Sequence, residues 1–464
     1  MASTTLRNAE LQTKEHLMHD LSRLSQALLD AAKQAGADAA DVLTVQGTSV
    51  EIDVREGKLE QAERSEGIDL GLRVFIGQKQ ACISSSDSSD RAISEMAERA
   101  VAMAKVAPAD PYAGLADHAQ LATNTDVTHL ELHDPSPEPS AKTLQDDAQA
   151  AEEAARAIKS VAQVQSASAS YSARDIHVAN SLGFKAGYAR TDRSISCVAI
   201  SGKGLEMERD YDFDARIFQN ELRSATDIGR VAGERCVERT GARQPATGTY
   251  PVLFDERISS SLISHLLSAV NGAGIARGSS WLRDALGHQV LPQHLSITEN
   301  PHRARVSGSR MFDAEGLPTK QRTIVEAGTL TGWTLDLATA RQLGLQSSAN
   351  AMRGTSSPPR PGTTNISLTQ GTQSCRDLIR DMGTGLLVTS MIGSTINPNT
   401  GDYSRGASGF WVENGEIAYP VNECTIAGNL KAMLGTIIPA NDAHAHLNYV
   451  VPSLLVDGMT LAGA

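Results

Sequence analysis

At 464 residues the chain is too long for one ordinary core, so two domains are expected, and 41% hydrophobic with 21% charged residues reads as soluble and globular. Its 42 basic and 54 acidic residues leave a net charge of −12, which repels phosphate backbones, and no Lys/Arg run or aromatic-basic motif offsets it; no nucleic-acid partner is expected. Five cysteines (Cys82, Cys197, Cys236, Cys375, Cys424) lie scattered without CxxC spacing, and neither an apolar leader core nor a run of about 18 apolar residues is present. These features predict a cytoplasmic chain with no membrane span, no disulfide framework and no zinc ribbon.

The first predicted element is a helix in "EHLMHDLSRLSQALLDAAKQAGA", with Leu17, Leu21, Leu24, Leu28 and Leu29 at helical spacing and Gly36 as its stop. The period then changes to two: Val50, Ile52 and Val54 alternate with charges, and "REGK" and "GQK" mark hairpin turns. "DRAISEMAERAVAMAKVA" is a helix opened by Asp90 with the stripe Ile93, Met96, Ala100 and Met103. After the Pro-punctuated "HDPSPEPSA" comes a helix, "TLQDDAQAAEEAARAIKSVA", and then alternating strands to about residue 213, with "ISGKGLE" as another hairpin turn. A helix over about 216–238 leads into the linker "TGARQPATGTYP". Helices interleaved with antiparallel hairpins make this an α+β chain, with an N-terminal domain over 1–244 and a C-terminal, mostly β domain with a few helices over 245–464. The second domain opens with the strand "PVLFD" and the helix "ERISSSLISHLLSAVNGAG", and "SSANAMRGTSSPPRPGTTN" is a long irregular segment.

"GDYSRGASGFWVENGEIAYPV" (401–421) concentrates glycines and aromatics near the end of a chain only 4% aromatic. Asn414-Gly415 predicts a two-residue type I′ turn that sets Val412 opposite Ile417, Trp411 opposite Ala418 and Phe410 opposite Tyr419. One face then carries Phe410, Val412, Ile417, Tyr419 and Val421 into the core. The other carries Trp411 beside Gly409, Ala407 and Ala418, a shallow trough with two readings: tight packing against another part of the chain, or a groove for an extended peptide. In the second reading the substrate-binding candidates are Tyr403, Ser404, Arg405, Gly406, Gly409 and Trp411, with Arg405 able to hold a carboxylate or carbonyl.

That stretch, continued through "NECTIAGNLKAML", closely resembles the signature of the TldD/PmbA family, specifically its TldE (PmbA) branch. "MFDAEGLPTKQRTIVEAGTL", "SSANAMRG", "TTNISL", "MERDYDF" and "YPVLFDERISSSLISHLLSAVNG" extend the resemblance over nearly the whole chain. The resemblance implies a cytoplasmic metalloprotease built from two related subunits, acting on extended or unfolded peptides and in peptide maturation. It makes residues 1–244 the substrate- or partner-binding scaffold and residues 245–464 the equivalent of the catalytic domain. In the TldD subunit a helix carries HExxxH, and a later Cys joins its two His as metal ligands.

Anchored on "ARGSSWL", the three key positions of that helix fall here on Ser264, His265 and Ala269, and no C-terminal Cys follows in "NDAHAHLNYVVPSLLVDG". No metal site is therefore expected in this chain; zinc is expected in a TldD-type partner. His265 lies at the margin of the apolar stripe Ile258, Leu262, Ile263, Leu266, Leu267 and Val270. His444 and His446 share a strand face if extended, but only Asp442 offers a third ligand, where three are usually needed. "MERDYDFD" reads as a charged strand face, with Arg209 offsetting part of its acid. Three functions stay open: a non-catalytic TldE-type subunit completing the groove of a TldD-type paralogue as a heterodimer; a self-sufficient homodimeric peptidase using His265 or His444/His446; and a protein that binds extended peptides without cleaving them.

Overall fold

The structure, a computed structural model, describes residues 20–463. Leu17 of the first predicted helix lies outside them; that helix, α1, occupies 20–34 with Leu21, Leu24, Leu28 and Leu29 buried, and Gly36 turns the chain at φ +96°. Strands β1 (Ala39–Arg55), β2 (Lys58–Ile76) and β3 (Lys79–Ser85) form the two hairpins expected from "REGK" and "GQK". In the first, Glu56 and Gly57 both take positive φ (54° and 71°), as a type I′ turn requires. Then come α2 (Asp90–Val106), α3 (Ala141–Ala157), β4 (Val161–Asn180), β5 (Lys185–Ser201), β6 (Glu208–Arg216) and α4 (Ala225–Glu238).

The six strands make one antiparallel sheet in the order β3-β2-β1-β4-β5-β6. Side chains alternate across a strand, and the even-numbered positions of β1 serve two cores in succession. Val42, with Leu70, Leu72 and Val74, packs on α1 and α2; Val50, Ile52 and Val54, with Ala167, Ala169 and Ile195, pack on α3 and α4. Leu43 and Val45 face the other way and pack with Phe184 and Phe312 of the following half. Two boundaries differ from the sequence reading. Ser89, not Asp90, caps α2 by accepting from Ala92 N (3.3 Å), and Met103 is exposed while Val101 and Ala104 take its place in the core. Helix α4 begins only at Ala225, where the Ser224 hydroxyl accepts from Asp227 N (3.1 Å).

The second half contains β7 (Gly248–Phe254), α5 (Glu256–Ala269), α6 (Gly272–Ala276), β8 (Ile297–Glu299), β9 (Arg322–Glu326), β10 (Thr329–Leu330), α7 (Leu337–Leu343), β11 (Ala351–Met352), β12 (Arg360–Pro361) and β13 (Ile366–Leu368). It continues with α8 (Cys375–Met382), β14 (Gly385–Ile396), β15 (Asp402–Glu413), β16 (Glu416–Asn429), α9 (Leu430–Gly435), β17 (Ile438–Pro439), β18 (Tyr449–Val450) and β19 (Leu454–Ala462). The chain is thus α+β throughout. Strands β16, β15, β14, β7 and β19 follow one another, and a β16–β19 pairing closes them into a barrel, which removes the free edges. The predicted apolar stripe of α5 packs with the barrel's inward residues, Leu262, Ile263, Leu266, Leu267 and Val270 sharing one core with Tyr403, Ala407 and Trp411.

The long motifs of the second half serve this architecture. Asp313 accepts from the backbone of Glu315, Leu317 and Ala351 (2.9–3.0 Å), folding the "FDAEG" turn under "SSANAM". Glu299, almost fully buried, collects Arg322 (2.6 Å), Asn350 (2.9 Å) and Thr364 N (2.6 Å). Burial beside Asp313 pushes the Glu315 carboxyl up to about 8. Buried carboxylates that collect this many donors tie the loops together, so the motif's chemistry holds loops in place.

Candidate functional site

The 401–421 hairpin turns where predicted, with Asn414 and Gly415 at φ 52° and 77°. Its register departs one pair later. Glu413 and Val412 face Glu416 and Ile417, but a bulge past Ala418 sets Trp411 opposite Tyr419, Phe410 opposite Pro420 and Gly409 opposite Val421. The β15 faces stay as assigned, with Val412 and Phe410 in one core, but on β16 Tyr419 and Val421 move to the Trp411 side and pack in another. Trp411 is buried, edge-on to Tyr250 (4.9 Å) and stacked on Tyr419 (6.4 Å), whose ring is in turn covered by the Arg243 guanidinium (3.6 Å). Ile417, expected in the core, is half exposed. A Cβ on Gly409 would stand 1.9 Å from the Leu387 carbonyl oxygen. Of the two readings of the trough, tight packing is the one the register supports: the missing side chain admits β14.

The upstream residues behave differently. Tyr403 is buried with its hydroxyl on Met391 Sδ (3.3 Å), and its ring meets the His265 ring edge-on at 5.9 Å. Ser404, Arg405 and Gly406 are half-buried. Two nitrogens here are buried without a hydrogen-bond partner, His265 Nε2 and Arg405 Nε. Burial first, and then the Arg405 charge, holds the His265 imidazole below its ordinary range, while burial pushes the Tyr403 phenol up to about 12. The structure thus brings together His265, Tyr403 and Arg405 and separates Gly409 and Trp411 from them.

The three positions of the metal helix can be tested for fit. Ser264 gives its hydroxyl to the Ser260 carbonyl (2.9 Å), one turn back. Ala269 has no donor atom and is buried in the main core. His265 alone could ligate, and a guanidinium lies close enough to lower its basicity. A divalent cation needs anionic or neutral donors converging without a competing cation, so this set does not fit one.

His444 and His446 do not converge either. Their rings lie 5.7 Å apart, but His444 Nε2 faces Glu256 (3.5 Å) and His446 Nε2 faces Asp214 (3.8 Å). Asp442 accepts from Ser453 N and Oγ (2.8 and 2.7 Å). Among the described residues no group of three or more His, Cys, Asp or Glu is arranged to hold a metal.

A feature the sequence only half disclosed lies at the start of α5. Glu208, Asp210, Asp212 and Asp214 of β6 all point to the helix side of the sheet and are buried. Arg239 reaches Glu208 (3.4 Å) and Asp210 (3.5 Å); Arg257 of α5 bridges Asp210 (3.0 Å) and Asp255 (2.9 Å); Arg223 and Arg235 hold Asp212 (2.7 and 2.9 Å). Arg209, which the sequence suggested as the local counter-charge, is exposed on the opposite face. Strand alternation made the acidic face readable. The arginines come from α4, the residues flanking it, and α5, beyond any local pattern.

Residues 40–104, 134–242 and 247–463 match the first, central and C-terminal domains of PmbA/TldA metallopeptidases. The chain is 35% identical over 428 residues to the metalloprotease PmbA of Escherichia coli O157:H7, spanning 92% of this chain and 93% of that protein. It is 36% identical over 437 residues to the PmbA homologue of Haemophilus influenzae, spanning 94% of each. Among solved structures, a candidate modulator of DNA gyrase from Bacteroides thetaiotaomicron superposes with a TM-score of 0.86 at 25% identity, over 96% of this chain and 99% of that one. TldE of Thermococcus kodakarensis shares the fold, with a TM-score of 0.81 at 20% identity, over 95% of this chain and all of that one.

Proposed function

Because this chain belongs to the PmbA/TldD metallopeptidase family, we propose that it is the non-catalytic, TldE-type subunit of a two-chain metalloprotease acting on extended or unfolded peptides. The observation that carries this reading is the replaced metal helix: Ser264 bonded to its own helix, Ala269 without a donor, and His265 facing Arg405 and Tyr403. The Arg405 charge beside His265 disfavours a bound cation there, which supports the reading. The zinc and its activated water then belong to a TldD-type paralogue, and this chain supplies surface to the shared substrate groove. Within it, Arg405 and Ser404 are the residues offered to the peptide. The free state of all five cysteines supports the cytoplasm as its compartment.

The test is to purify the chain alone and together with a paralogue carrying HExxxH, then measure bound zinc and cleavage of an unstructured peptide. The chain alone is expected to hold no stoichiometric zinc and to turn nothing over, with cleavage appearing only in the mixture. Stoichiometric zinc together with turnover by the isolated chain would overturn the proposal.

A further inference from the structure

A pocket of about 780 Å³ opens in the C-terminal half between the 278–291 segment, the turn before β15 and the start of α9. That volume suits a ligand of a few residues. Trp281 and Leu282, both buried, form its floor, and Asn399, Arg283, Asp284 and Lys431 stand around it. The floor is fixed from behind: Gly401 backs onto the Trp281 ring so closely that a Cβ there would lie 3.3 Å from the indole, and its carbonyl accepts from Leu430 N (2.8 Å). The rim carries two cations against one anion on a chain of net charge −12. Asp284 is already paired with Arg283 (3.0 Å), and the Lys431 ammonium has no partner among the described residues. A lining more polar than apolar, with the edge of the Trp281 indole at its floor and an unpaired ammonium at its rim, fits a small polar group that is anionic at its end.

The pocket also adjoins the site described above. Gly401 precedes Tyr403 by two residues, about 7 Å along an extended strand, and Tyr403 faces His265. We propose that this pocket is a binding site for the carboxylate-bearing end of a short peptide, with Lys431 and Arg283 receiving the carboxylate and Trp281 the adjoining side chain. That the ligand is peptidic rests on the function proposed above; the preference for an anion rests on the pocket alone.

The test uses the full chain and N-acetylated tripeptides, which are too short to lie along the barrel as a strand. Ala-Phe-Ala with a free carboxylate, its C-terminal amide, and Ala-Phe-Glu amide are each titrated while the Trp281 indole N–H is followed by NMR, assigned with Trp281→Phe. The free acid is expected to bind about tenfold tighter than the Ala-Phe-Ala amide, as a charge-assisted contact gives. The double variant Lys431→Ala/Arg283→Ala, at exposed positions, is expected to erase that preference, and Lys431→Arg to keep it. If Ala-Phe-Glu amide matches the free acid, the pocket reads an acidic side chain; if it binds like the neutral amide, the pocket reads the chain end. Equal affinities of free acid and neutral amide, no shift of the Trp281 signal, or a preference that survives the double variant would each overturn the assignment. None of these results depends on zinc or cleavage, so failure here is distinguishable from failure of the subunit reading.

Discussion

The two ends of helix α5 handle buried charge in opposite ways. At its start, Arg257 lies between Asp210 and Asp255, and the surrounding carboxylates of β6 are matched by arginines of α4. Two turns further on, His265 Nε2 and Arg405 Nε are buried with no hydrogen-bond partner. A buried charge that is fully paired is a fastener, because removing one partner strands the other. A buried polar group left unpaired is a standing penalty that a fold keeps only for a reason outside its own stability. The first end therefore reads as architecture, while the second carries polar atoms that the fold itself leaves without a partner.

Substitution at the paired end gives the largest expected effect. Asp210→Ala leaves Arg239 and Arg257 facing each other without their shared carboxylate, and a loss of about 3–5 kcal/mol is expected in urea unfolding. A loss below about 1 kcal/mol would mean that the network is not a fastener, and the contrast would collapse.

A buried histidine with a partner sharpens the comparison next. His177 Nδ1 lies 2.9 Å from Ser25 Oγ of α1, which also bonds Thr44 (3.0 Å). Burial, and then Lys185, pushes its pKa down from 6.5 to about 4. The folded state resists a proton that the unfolded chain accepts. Stability from this group is complete above pH 6.5 and drains away as the pH falls toward 4, by on the order of 3 kcal/mol. His177→Gln should flatten that limb of the stability–pH curve; an unchanged slope would place the acid sensitivity elsewhere.

At the unpaired end the sign reverses. Arg405→Met removes a guanidinium whose Nε is buried without a partner, so stability should hold or rise by about 1 kcal/mol. The His265 pKa should move up, since one of its two depressing causes is gone. NMR titration of the imidazole reads the second effect directly, and a fixed pKa would show that the two groups are not coupled. The smallest effect is expected at Ile417→Ser, within about 0.5 kcal/mol because the side chain is half exposed. A loss of 2 kcal/mol or more, as for a core residue, would restore the unbulged register.

How much was legible in the sequence follows from the range of the forces involved. Hairpin turns at Glu56-Gly57 and Asn414-Gly415 are local chemistry, and both form as written. The apolar stripe of α5 is equally local, and Leu262, Ile263, Leu266, Leu267 and Val270 are all buried. The bulge past Ala418 was not readable, because the Asn414-Gly415 turn fixes only the pairs nearest to it, Glu413–Glu416 and Val412–Ile417. It moved Tyr419 and Val421 away from the side of Phe410 and Val412 and onto the side of Trp411. The degenerate metal helix was readable as a missing pattern at Ser264, His265 and Ala269. The Arg405 and Tyr403 that adjoin it, more than a hundred residues later in the chain, were named for a different reason and located only by the fold.

The loop after β11 has a further consequence. Arg353 is buried against Asp41, which also binds Arg73, and Thr355 lies so close to β2 that a Cβ on Gly71 would stand 2.5 Å from its carbonyl oxygen. Phe312 adds an aromatic contact with Phe184 at 5.5 Å. The stretch over 240–247 is thus not the only tie between the first sheet and the C-terminal half. A nick in it should leave both fragments migrating as one particle until denaturant is added.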